Sequence, residues 1–140
     1  MVGIALTRGI SFSAGILLVV LAGCSGGAAD QANEPVDVEA AVRAAEVPAQ
    51  LAAGASAFIA NCQLCHGERA LGTQQGPPLV NIIYEPSHHA DIAFRIAVQR
   101  GVRSHHWSFG DMPPLPDVDP EELESIIRYV RFLQQEAGIN

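Results

Sequence analysis

The segment "NCQLCHGE", Asn61 to Glu68, places Cys62 and Cys65 three positions apart and follows the second directly with His66. Two thiols and an imidazole at this spacing can hold a metal ion, cycle through a disulfide, or bind a haem. A structural zinc site needs four protein ligands, and the three here leave one to find. A histidine immediately after C-x-x-C is also not the usual zinc spacing. A thioredoxin-like redox pair calls for a preceding strand and a βαβ context, and the surrounding sequence offers neither. Haem attachment explains more of the pattern. The two thiols add to the vinyl groups as thioethers, and the adjacent histidine then reaches the iron from one side.

A second iron ligand is available in "FGDMPPLP", Phe109 to Pro116, where Met112 is one of only two methionines, the other being Met1. Methionine often fills irregular gaps in a core. The flanking prolines favour a ligand instead, because a flexible gap-filler has no need of a stiff loop. Four further histidines stand as doublets, His88/His89 and His105/His106, the second followed by Trp107. Three readings apply to them: a second metal site, solvated side chains at helix ends, or contact with a haem propionate by His105, His106 and Trp107. Tyr84 and Arg103 are further candidates for that contact. A helix from Ser87 to Gly101 is about 20 Å long, which sets the doublets at opposite ends and predicts that they share no metal. Arg69, Arg95 and Arg100 read as surface charges.

Three helices are expected to position these groups. "AQLAAGASAFIANC" carries strong helix formers with an apolar stripe through Leu51, Ala55, Phe58 and Ile59, and delivers the cysteine motif. "PSHHADIAFRIAVQRG" has Ser87 as candidate N-cap and Gly101 in the C-terminal capping place, with Ile92, Ala93, Ile96 and Ala97 on one face. "VDPEELESIIRYVRFLQQEAG" has Asp119 as N-cap, Pro120 at the first helical position, Glu122 completing a capping box, and Val118 with Leu123 as a hydrophobic staple. Its buried stripe is expected at Leu123, Ile126, Ile127, Val130 and Leu133, with Tyr129 beside it. No segment alternates as a strand, so the fold class is all-α. The long loops "GERALGTQQGPPLVNIIYEP" and "VRSHHWSFGDMPPLPDV" are expected to wrap something.

The rest of the chain sets its compartment. With 140 residues there is room for one domain, and 6% aromatic content leaves a side-chain core thin. The 15 acidic residues outweigh 8 basic ones, all arginine, for a formal charge of −7, which argues against nucleic acid and anionic membrane surfaces as partners. "MVGIALTRG" followed by "ISFSAGILLVVLAG" reads as a secretory signal, too short for a comfortable membrane span. "LAGC", Leu21 to Cys24, resembles a bacterial lipobox, in which the cysteine is lipidated and becomes the first mature residue. The alternatives are cleavage near Ala29 or an uncleaved anchor. All three export the domain. The organisation expected is therefore signal peptide 1–23, flexible Ala/Gly-rich and acidic tether 24–48 from lipidated Cys24, and folded domain 49–140.

Together these residues resemble the class I c-type cytochromes. The family's first helix has a glycine, an aromatic four residues on and the haem motif four further, here Gly54, Phe58 and Cys62. Its G-P-x-L loop is Gly76, Pro77, Pro78, Leu79, and its last helix pairs an aliphatic with a tyrosine three later, Ile126 and Tyr129. The resemblance implies a cytochrome c fold around one covalent haem c, with the first and last helices crossing at Gly54, Phe58, Ile126 and Tyr129. It implies that His66 donates to the Pro77 carbonyl and that Met112 is the distal ligand. With both iron positions filled, the function implied is one-electron transfer rather than catalysis. The chain would serve dehydrogenase or oxidase partners from the periplasmic side of a bacterial membrane, held by its lipid. The alternatives are a peroxidase-like haem enzyme with a labile Met112, and a histidine-rich periplasmic metal-binding protein. One departure stands out: the family's mitochondrial-like members dock through lysine-rich faces, and this chain has no lysine, so its partner surface is not the acidic patch those faces meet.

Overall fold

The structure, a computed structural model, describes residues 37–140. The signal segment, the lipobox and Cys24 lie outside the described residues. Five α-helices run in the order α1 (Val38–Ala44), α2 (Ala52–Asn61), α3 (Gln63–His66), α4 (Asp91–Arg100) and α5 (Pro120–Glu136), with short 3-10 turns at Ala49–Leu51, Glu68–Ala70 and Ile82–Tyr84. Among the described residues the only β-type pairing is one antiparallel bridge, Val102 with Met112. No described helix is long and apolar enough to cross a membrane.

The last helix organises the body. Asp119 caps α5 through its carboxylate, accepting from the backbone N–H of Glu121 and Glu122, and Pro120 occupies the first turn where a missing N–H costs nothing. Val118 packs against the cluster that contains Leu123, in keeping with a staple. All five expected core positions, and Tyr129 with them, are buried. Gln134 is buried too, which an apolar stripe does not announce. Its amide donates to the carbonyls of Leu79 at 2.8 Å and Tyr84 at 3.2 Å.

Against this helix lies α2. A Cβ at Gly54 would stand 2.1 Å from the Ser125 carbonyl oxygen and 3.2 Å from the Tyr129 Cβ, so glycine alone permits the crossing. One turn on, the Phe58 and Tyr129 rings meet with centroids 5.6 Å apart and planes tilted by 57°. Phe58, Ile126, Tyr129, Val130 and Leu133 share one buried cluster, so the crossing implied by the sequence pattern is present.

Three expectations need correction. The domain does not begin near residue 49: Asp37 caps α1, and Val42 is fully buried in the same core as Phe58. Arg69 is not a free surface charge, since its Nη1 donates to the Val42 and Ala45 carbonyls at 2.7 and 2.8 Å and closes the C-terminus of α1 onto the segment after the motif. Those carbonyls are among the last of a helix, where a cation finds unsatisfied acceptors. Third, α4 starts at Asp91 rather than Ser87, with His88 and His89 in the turn before it. Gly101 does close it. Within that helix Phe94 and Val98 pack toward Leu123 and Ile127 of α5, beside a two-point Arg95–Glu124 ion pair at 2.5 and 2.8 Å, while Ile92 and Ile96 on the other stripe are 56% and 44% exposed.

Replacing Gly54 by Ala forces the two helix backbones apart. Equilibrium denaturation should show a loss of at least about 2 kcal/mol, at the severe end of overpacking. An unchanged midpoint would show that the crossing has slack the structure does not.

Candidate functional site

The motif sits where α2 ends. Cys62 is the hinge residue between α2 and α3, and the short α3 turns so that the His66 N–H bonds the Cys62 carbonyl at 2.9 Å. Neither cysteine is in a disulfide. Burial, followed by the nearby carboxylate of Glu122 and then the Cys65 thiol, pushes the Cys62 thiol up to about 11. Cys65 is exposed. The motif is therefore presented as two separate thiols on one turn.

His66 is oriented from outside its own helix. Its Nδ1 lies 2.9 Å from the Pro77 carbonyl oxygen, and because a carbonyl only accepts, Nδ1 carries the proton and Nε2 keeps a lone pair. Burial lowers the imidazole's pKa and the bond to Pro77 partly offsets it, so the ring is neutral and ready to ligate. The loop that supplies this carbonyl is itself tied to the motif. Thr73 donates its hydroxyl to the Cys65 carbonyl at 2.6 Å, Gly72 N–H bonds the His66 carbonyl at 2.7 Å, and Leu79 N–H bonds the Ala70 carbonyl at 2.8 Å. At Gly76 a side chain would come within 2.8 Å of the Cys65 carbonyl oxygen, so the first residue of the G-P-P-L run must be glycine for the loop to lie this close.

This geometry offers two thiols, a fixed neutral imidazole and a carbonyl that holds its tautomer, the set a covalently attached haem requires. The family model for cytochrome c matches residues 51–134, from the start of α2 nearly to the end of α5. The chain belongs to the cytochrome c family. Membership implies covalently bound haem c, and the Cys62/Cys65 pair fits its attachment. It likewise supports a haem-based electron carrier. No curated protein and no solved structure matches the chain.

The structure also tests whether the surroundings suit a large apolar ring with charged edges. Among the described residues Ile59, Leu64, Ile82, Ile92, Ile96 and Phe109 are large, apolar and exposed, and a bound ring would need apolar surface of this kind to cover it. The indole Nε1 of Trp107 is buried without a hydrogen-bond acceptor. Its neighbour, the Tyr84 phenol, is raised by burial and held back partly by the indole N–H, yet the two do not meet in hydrogen-bond geometry. An unmet buried donor costs about 1–3 kcal/mol, and a propionate carboxylate is the kind of acceptor that would satisfy it.

Met112 lies in a loop fixed on both sides. Its N–H and carbonyl pair with Val102 at 2.9 Å each, and Leu115 N–H bonds the Val98 carbonyl at 2.7 Å. The half-buried side chain borders the cluster of Val98, Leu123 and Ile127. The Val102 pairing makes residues 103–111 a closed excursion, which Ser104 braces by donating its hydroxyl to the Trp107 carbonyl and its backbone N–H to the Asp111 carboxylate.

The histidine doublets are not apart. His88, His89 and His106 have ring centroids 4.6, 5.4 and 5.2 Å from one another, and His105 is 4.4 Å from His106. The helix between them is shorter than the sequence suggests, Asp91–Arg100, and six residues of chain after Arg100 can span up to about 20 Å and bring the second doublet back to the first. His106 is held below the ordinary imidazole value, by desolvation first and then by its three histidine neighbours. Sequence reading also missed Arg131, which lies just outside the apolar stripe of α5. It donates to Asp91, to the Tyr84 and His89 carbonyls and to Gln134, all within 2.6–2.8 Å, and its guanidinium stacks over Phe94 at 4.9 Å. No pattern marks such a residue, because two of its four hydrogen-bond partners are backbone carbonyls, which any residue type supplies.

Replacing both Cys62 and Cys65 with Ala should remove the haem that survives denaturing electrophoresis. Retained covalent haem in that variant would place the attachment elsewhere.

Proposed function

We propose that this chain is an exported monohaem class I c-type cytochrome that carries single electrons between redox proteins on the periplasmic side of a bacterial membrane, tethered there through lipidated Cys24. The observation that carries the reading is the His66–Pro77 hydrogen bond. It fixes one nitrogen of the imidazole as donor and leaves the other as an iron ligand, with the orientation set by backbone rather than by a mobile side chain. Cys62 and Cys65 would be the attachment points of the haem, and His66 and Met112 would hold its iron. A propionate would supply the acceptor that the buried Trp107 N–H lacks.

When bound, the haem supplies a one-electron iron couple with no position open to substrate once both protein ligands are in place. What the chain contributes is rigidity. The Gly54 crossing holds α2 and its motif, the Val102 pairing and the Pro113–Pro114 pair hold Met112, and Arg131 holds the segment between them. Ligands held alike in both oxidation states need little reorganisation when an electron moves. Redox proteins of the dehydrogenase or oxidase kind are the partners this assigns, docking on a surface without lysine. The lipobox sequence supports the tether, since each buried methylene of an acyl chain adds about 0.8 kcal/mol and several chains on one cysteine anchor without a spanning helix.

A thioether is a soft ligand that favours ferrous iron and closes it to outside molecules. The reduced protein should therefore bind carbon monoxide poorly at neutral pH, whereas Met112→Ala should bind it readily and show a lower reduction potential. Equal carbon monoxide binding by both would mean that Met112 is not a stable ligand, and would favour the peroxidase-like alternative.

The tether has its own test. Cys24→Ser should move the haem protein into the soluble periplasmic fraction, and a variant that still sediments with membranes would show that something other than lipid holds it.

A further inference from the structure

We propose that His88, His89 and His106 form a binding site for a divalent transition-metal ion of the copper and zinc class, built from residues outside the haem motif. One ligating nitrogen from each lies within 4.8 Å of the others. An ion with metal–nitrogen bonds near 2.0–2.1 Å sets tetrahedral ligands about 3.4 Å apart, so the three rings need to close by little more than an ångström. His88 and His106 are exposed and free to rotate that far, while His89 is half-buried and anchors the set.

The anchor is prepared in the way ligating histidines are. Its Nδ1 donates to the Ile83 carbonyl at 2.6 Å, which fixes the proton there and leaves Nε2 with its lone pair. The ring rests against Tyr84 at 5.2 Å. Its backbone is held from two directions: the N–H groups of His88 and His89 both bond the Glu85 carbonyl, at 3.1 and 2.8 Å, and Arg131 Nη2 donates to the His89 carbonyl at 2.6 Å. On the other side, His106 rides on the excursion closed by the Val102–Met112 pair and braced by Ser104. Two segments seventeen residues apart in sequence are thus fixed separately and bring their imidazoles together.

The donor set decides the class of ion. Three neutral nitrogens with no carboxylate suit zinc, copper and nickel, and offer nothing to magnesium or calcium, which take oxygen. Among first-row ions copper(II) binds such a site most tightly. Three protein ligands leave one position for water. His105 sits at the rim, its ring centroid 6.2 Å from that of His89 and its Nδ1 on the Arg103 carbonyl at 2.8 Å, and is not needed to complete the set. A bound ion would clip the segment ending at His89 to the loop that leads to Met112, and would raise thermal stability by mass action.

The inference stands apart from the electron-carrier reading, and the test keeps the two distinguishable. Haem-loaded protein, freed of adventitious metal with a chelator, is titrated calorimetrically with copper(II), zinc(II) and magnesium(II) salts while the haem absorption spectrum is followed. The expected result is one ion per chain, copper tighter than zinc, no magnesium binding, a higher melting temperature with zinc, and an unchanged haem spectrum. His89→Ala and His106→Ala should each weaken binding by about 100-fold or more, since losing a ligand costs at least what losing its supporting partner does. His105→Ala should bind as the wild type does. Each variant's haem spectrum reports whether it is folded, and His106, being exposed, can be replaced without opening the core. Binding of several ions per chain at the strength of a single surface histidine, or binding that survives His106→Ala and His88→Ala, would overturn the proposal.

Discussion

Gly54 lets the backbone of α2 lie against the backbone of α5, where a single added methyl would sit 2.1 Å from the Ser125 carbonyl oxygen. That contact fixes the direction in which α2 leaves the core, and α2 ends at Cys62. The tilted contact of Phe58 with Tyr129 one turn along fixes the rotation of the helix about its own axis. Position and rotation together determine where two thiols and His66 emerge. The haem motif is local in sequence, but its placement depends on a contact between residues seventy positions apart.

A second layer of order comes from backbone carbonyls rather than side-chain pairs. Pro77 orients His66, the carbonyls at the end of α1 take Arg69, and those of Tyr84 and His89 take Arg131. A small domain with a thin core cannot order long loops by burial alone, because the conformational entropy of each loop residue costs about 1–2 kcal/mol. Charge-assisted bonds from two arginines to loop carbonyls offset part of that cost where apolar contacts are few. The loops so fixed are the ones that carry Pro77 and the first histidine doublet, while the Val102–Met112 pairing fixes the third.

How much of this was legible in the sequence follows from whether its cause is local. The α5 stripe, its Asp119 cap and the Gly54 to Cys62 spacing are encoded in contiguous residues, and the structure matches them. The tie between His66 and Pro77 was implied by family resemblance, and geometry alone would not have singled out that carbonyl. The docking of α1 was missed because its composition reads as a tether. Its ties are tertiary: Val42 is fully buried, Val38 and Val47 pack on the same core, and Arg69 clips its last carbonyls. Which side of α4 meets α5 was not legible, because two apolar stripes are available on it and only the tertiary packing shows Phe94 and Val98 against Leu123 and Ile127. The convergence of the histidines depends on the chain returning after Gly101, which a helix-length argument cannot see.

The central claim is that this scaffold holds one iron between His66 and Met112 in both oxidation states. High-resolution structures of the haem-loaded protein, oxidised and reduced, test it most directly. The account predicts iron bound by His66 Nε2 and Met112 Sδ in both, superimposable loops, and the Trp107 N–H on a propionate oxygen. Iron with an open position, or with His106 in place of Met112 in either state, would contradict it.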